Sequence, residues 1–75
     1  MKYKIVELTW HDAWSDSGWK RIEDLADRPL VCSSIGYLIR ETTAGYLIAG
    51  SIGEGGTFGS TAFRPRNMVK AIKFY

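Results

Sequence analysis

Val31-Cys32-Ser33-Ser34-Ile35-Gly36-Tyr37-Leu38-Ile39 and Tyr46-Leu47-Ile48-Ala49-Gly50-Ser51-Ile52 are two apolar runs separated by the polar connector Arg40-Glu41-Thr42-Thr43-Ala44-Gly45. The tetrapeptide Gly-Tyr-Leu-Ile occurs in both, beginning at Gly36 and at Gly45. Aromatic and β-branched residues on facing runs supply cross-strand pairs. A connector ending in Gly, which can adopt positive φ, suits a short hairpin loop with a bulge. The stretch therefore predicts a central antiparallel hairpin over 31–52, with Ile35, Leu38, Ile39, Leu47 and Ile48 largely buried.

Working outward, Tyr3-Lys4-Ile5-Val6-Glu7-Leu8-Thr9-Trp10 alternates, with Tyr3, Ile5 and Glu7 on one face and Lys4, Val6, Leu8 and Trp10 on the other. That is a first strand, and Glu7 on the Ile5 side implies that this face turns toward water. On the far side, Gly53-Glu54-Gly55-Gly56-Thr57-Phe58-Gly59 leads into a strand over Ser60-Thr61-Ala62-Phe63. Pro65 starts a 3-10-like turn, and Val69 opens a last strand placed to pair with the first. Five strands with one short helix or 3-10 turn after strand one predict a mostly β fold, a small SH3-like barrel forming a single domain over 1–75.

Seventy-five residues supply only a small core. Self-association, most simply as a symmetric dimer, is an expected way to cover surface that one chain cannot bury. An apolar fraction of 45% and a charged fraction of 24% belong to a globular domain and not to a disordered tail. No apolar run reaches the ~20 residues that cross a bilayer, and no signal-peptide core follows Met1, so no membrane partner and a cytoplasmic location are expected. Cys32 is the only cysteine, which rules out an internal disulfide and predicts a small buried side chain.

The formal charge of +2 is too small to argue for nucleic acid, but it is unevenly placed. Glu7, Asp12, Asp16, Glu23, Asp24 and Asp27 all precede Pro29. No acid follows Glu54, whereas Arg64, Arg66, Lys70 and Lys73 do. Such runs are usually solvated faces.

The most unusual connector is His11-Asp12-Ala13-Trp14-Ser15-Asp16-Ser17-Gly18-Trp19, polar yet carrying two indoles. One reading has Trp14 or Trp19 plug an open end of the barrel. The other has an indole line a binding surface, where Trp is enriched. Ser15, Asp16 and Ser17 are competent N-caps, and Ile22, Leu25 and Ala26 have helical spacing, so one or two helical turns are expected before Arg28-Pro29. Trp19 is expected to pack near Ile22 and Leu25, and Trp14 to be at least partly exposed.

Trp10-His11-Asp12-Ala13 with Ser15 and Gly18-Trp19, then Ser34-Ile35-Gly36-Tyr37-Leu38-Ile39, then Pro65-Arg66 followed by Val69, form a pattern spanning nearly the whole chain. With these elements the chain resembles a set of small proteins encoded by tailed bacteriophages and their prophages. That pattern commonly has an aliphatic residue before the proline, where this chain has Arg64. The resemblance implies an accessory protein acting in the host cell cytoplasm, and it speaks to fold far more than to activity.

Catalysis is not expected. His11 is the only histidine, and Asp12 beside it falls on the opposite face of a strand, so the two form no orienting dyad. No set of carboxylates, imidazoles and thiol has metal-ligand spacing, and no cofactor or metal is expected. Two binding readings follow. In the leading one the chain engages, and by doing so inhibits, a host protein through the Trp-containing loop, with Trp10, His11, Asp12, Trp14 and Asp16 at the contact. In the alternative it binds or sequesters a nucleic acid or nucleotide ligand through the Gly-rich loop, Arg64 and Arg66. A Gly-rich phosphate cradle normally leads into a long helix, whereas here a strand follows, so an inter-strand loop is the simpler reading.

Overall fold

A computed structural model describes residues 2–13, 15 and 17–75. The chain is mostly β, with β1 (Ile5–Asp12), β2 (Leu30–Glu41), β3 (Gly45–Gly53), β4 (Thr57–Pro65) and β5 (Val69–Phe74). They form one open antiparallel sheet in the order β4-β3-β2-β1-β5. The only helical elements among the described residues are three-residue 3-10 turns at Ile22–Asp24, Glu54–Gly56 and Arg66–Met68. None of them is long and apolar enough to cross a membrane.

β2 links the two halves of the sheet. Its residues from Leu30 to Tyr37 pair with β1, and those from Tyr37 to Glu41 pair with β3. Gly36 lies at the changeover, where a Cβ would stand 2.8 Å from the Ala49 carbonyl oxygen, so only glycine lets the two backbones approach. The sheet curls strongly. Val6 and Leu8 belong to a single sheet and are nonetheless fully buried, which requires the sheet to fold its own face over them. Side chains three strands apart meet on that inner face, where the Arg64 guanidinium of β4 sits 4.1 Å from the Trp10 ring centre of β1. The ring of Tyr3, just before β1, meets that of Phe58 in β4 edge to face at 5.5 Å.

Val6 and Leu8, both fully buried, pack with Tyr46 and Ile48, and Trp10, Leu38, Ala62, Val69 and Ile72 close around them. The β1 register explains which side of β2 turns inward. Val6, Leu8 and Trp10 stand opposite Gly36, Ser34 and Cys32, and directly opposed residues share a face. Ile35 is therefore placed outward and is 62% exposed, contrary to the burial expected of it from the sequence. Ile48 is buried, while Leu38, Ile39 and Leu47 are half-buried. The β2–β3 register shifts between Leu38 and Arg40, which takes Ile39 out of the simple alternation. Cys32 is also only half-buried.

β5 carries a second irregularity. Thr9 pairs with Ala71 but Trp10 with Val69, so Lys70 is an extra residue and both Val69 and Ile72 reach the core side. That bulge breaks the simple two-residue alternation along β5.

The short helix or 3-10 turn expected after β1 is a single 3-10 turn at Ile22–Asp24, held by Asp24 N donating to Arg21 O and Leu25 N to Ile22 O. A helix this short is unstable unless its apolar stripe packs on something. Here Ile22 is 83% exposed and Leu25 56%. Trp19, expected against the barrel, is fully exposed.

On the outward face, Ser33 Oγ donates to Glu7 Oε2 at 2.8 Å and the Tyr75 hydroxyl donates to Glu7 Oε1 at 2.9 Å. These hydrogen bonds, Ser33 first and Tyr75 next, hold the Glu7 carboxyl below its ordinary value of 4.5 against an opposing desolvation effect, with the attraction of Lys73 adding least. A depressed folded-state value stabilises the fold above the unfolded value, and that contribution is lost as pH falls through the folded one. Glu7→Gln is thus expected to flatten the acid limb, with Tm of the native protein dropping further than that of the variant between about pH 5 and pH 3. Parallel acid limbs would contradict the network.

Candidate functional site

The segment between β1 and β2, here called the strap, leaves the sheet at Asp12 and returns at Leu30. These two residues are paired, so both ends of the strap are fixed side by side at its root. The root carries several of the residues marked by the sequence. Trp10 is half-buried and its indole Nε1 donates to Ser34 Oγ at 2.9 Å. His11 and Asp12 are half-buried at the end of β1. They line an open hollow with Ala26, Asp27, Arg28 and Met68, which brings carboxylates, an imidazole and a guanidinium to one apolar-floored depression. Trp14 and Asp16 lie outside the described residues.

The two C-terminal arginines have different surroundings. Arg64, on the core side of β4, stacks on Trp10 while its Nη2 donates to Ser34 Oγ at 3.5 Å and its Nη1 to the Phe63 carbonyl at 3.3 Å. Its Nε is buried without a hydrogen-bond partner, and among the described residues no carboxylate pairs with it. Arg66 is committed to the fold. Its Nη2 forms a 2.8 Å ion pair with Glu41 and also donates to the Thr42 carbonyl, and its Nη1 donates to the Tyr46 hydroxyl at 3.2 Å. The Glu41 contact raises its already high pKa. These bonds staple the β2–β3 turn to the turn after β4, so Arg64 and Arg66 form no paired cationic site.

The Gly-rich segment closes the β3–β4 hairpin. Gly55 and Gly56 adopt φ of 70° and 74°, and Thr57 Oγ1 donates to the Glu54 carbonyl at 2.9 Å. It leads into β4, so its amides face no helix N-terminus of the kind that holds phosphate. Among the described residues no group of three or more metal-ligating side chains comes together.

What the sequence reading missed is the tip of the strap. Trp19, Ile22 and Leu25 present their side chains to water, uncovered by their own domain. Their helical spacing was visible, but spacing states only that they share a face, not that the chain supplies anything to cover it. Exposed Trp and Leu on a protruding segment are side chains suited to anchor a protein contact. No family model, curated protein or solved structure matches this chain.

Proposed function

We propose that this chain is a non-enzymatic binding protein, an SH3-like barrel whose strap docks on another protein. The barrel reading is supported by the meander order with β1 between β2 and β5, by β2 serving both halves, and by the Trp10–Arg64 contact across the curl. The single observation that carries the docking reading is the complete exposure of Trp19, with Ile22 and Leu25 beside it. A fold that buries five hydrophobic residues among those described and leaves the Trp19 indole in water gains by covering it with a partner. The strap root, with Trp10, His11, Asp12 and the hollow beside them, supplies a polar rim to that apolar tip. With the phage resemblance, the partner is a host cytoplasmic protein that the bound chain inhibits.

One observation favours the nucleotide-ligand reading: Arg64 carries a cation without a described carboxylate partner beside an indole. The two readings are separated by capture on immobilised protein. Trp19→Ala is expected to weaken capture of the partner by about tenfold or more, the range of an anchor residue. Arg64→Gln is expected to leave capture within a few-fold, and the purified protein to show no excess absorbance at 260 nm. A 260 nm excess that disappears with Arg64→Gln, with Trp19→Ala binding normally, would replace the first reading by the second.

A further inference from the structure

A compact protein of 8.4 kDa exposes about 4,600 Å². This chain exposes 5806 Å², about 1,200 Å² in excess. Its radius of gyration is 15.8 Å, against about 11 Å for a compact chain of this length. One partner's share of a standard protein interface is about 800 Å², so the excess is enough for one stable contact.

We infer that the strap tip docks on a second copy of this chain, with Trp19, Ile22 and Leu25 seated on the outward face of β2 around Val31 and Ile35. The inference rests on the reading of the strap as a docking element and assigns its tip to a second copy; the host protein then meets the dimer at the strap roots, and Trp19→Ala weakens its capture by dissolving that dimer. Val31 is 57% exposed and Ile35 62%, so the same chain carries both an uncovered apolar donor and an uncovered apolar acceptor. Charge adds little to this contact: Lys73 stands directly across from Glu7 on the acceptor face, and Glu23 on the strap already pairs with Arg21 at 3.9 Å, so the match is one of apolar side chains.

The acceptor also lies within reach. Trp19 is seven residues beyond Asp12, a span of up to ~23 Å, and Ile35 is five residues along β2 from Leu30, ~16 Å. Because the acceptor adjoins the strap's own root, a two-fold axis near the two roots lets both straps cross reciprocally. Edge-to-edge sheet pairing is opposed by Lys70 and Lys73 on β5 and by Pro65 and the positive-φ Ser60 on β4. The strap roots remain open at the two sides of such a dimer, where a host protein would meet two copies at once.

Sedimentation equilibrium of the purified chain tests this without any host protein. The native chain is expected to be a dimer at tens of micromolar. The donor variant Trp19→Ala/Leu25→Ala and the acceptor variant Ile35→Lys are each expected to raise the dimer dissociation constant about tenfold or more, with unchanged circular dichroism, since all three side chains are exposed. Mixing the two variants is expected to restore association in part, because one strap and one face remain intact between them. A native chain that stays monomeric over that range overturns the inference, as does a dimer insensitive to both variants. Loss of partner capture by Trp19→Ala in a chain that is monomeric throughout would overturn the second copy while retaining the docking reading.

Discussion

Leu8→Ala is expected to cost about 2–5 kcal/mol, the range for deleting a large aliphatic side chain from a core that cannot collapse around the gap. Leu8 is fully buried, stands opposite Ser34 on one side and Ile72 on the other, and packs in the cluster of Val6, Tyr46 and Ile48. So few buried side chains leave little surplus, because a small domain holds only a few kcal/mol in total. Chemical denaturation at 25 °C is expected to show the variant largely unfolded or with a midpoint far below that of the native chain. A midpoint within a few tenths of a molar of the native value would mean that the core lies elsewhere.

Gly45→Ala is expected to be nearly as damaging, for a different reason. Gly45 begins β3 with φ of 156°, a conformation that L side chains rarely adopt and that costs about 1–3 kcal/mol when forced. Its added methyl would also be driven into the Arg64 carbonyl and the Phe63 ring, on the strand that pairs with it. The turn itself is shut by Thr42 N donating to the Gly45 carbonyl at 2.9 Å and Gly45 N donating to Thr42 O at 3.2 Å. Pushing β3 from β4 also loosens the Arg66 staple, which holds Thr42 and Glu41. The measured loss is expected to exceed that of Gly55→Ala, whose added Cβ meets nothing within 4 Å and which carries only the backbone cost. Equal losses at the two glycines would remove the close approach from the explanation.

The contrast between these positions shows what the chain makes legible before folding. Strand identity was readable because apolar and polar residues alternate in β1, and because turn residues separate β2 from β3. The inward side of β2 was not, since Val31 and Ile35 are as apolar as Leu38, and only pairing with Val6 and Leu8 decides between them. The bulges at Ile39 and Lys70 shift the two-residue period locally and leave no mark in composition. In the site, Trp10 and Arg64 were both marked as candidates, but their stacking depends on how far the sheet curls. Arg66 drew notice as a cation, yet its partners Glu41, Thr42 and Tyr46 come from the far side of the β2–β3 turn. The strap misled most: helical spacing in Ile22, Leu25 and Ala26 is the same whether the covering surface belongs to the chain or to something else.

The claim that the strap is a protein-docking element is tested most directly by placing a photocrosslinking amino acid at position 19 and, as control, at the exposed Thr61 of β4. After irradiation in cells, the account predicts protein adducts at position 19, including adducts between two copies of the chain, and few at position 61. Adducts to nucleic acid, or equal yields of protein adducts at the two positions, would contradict it.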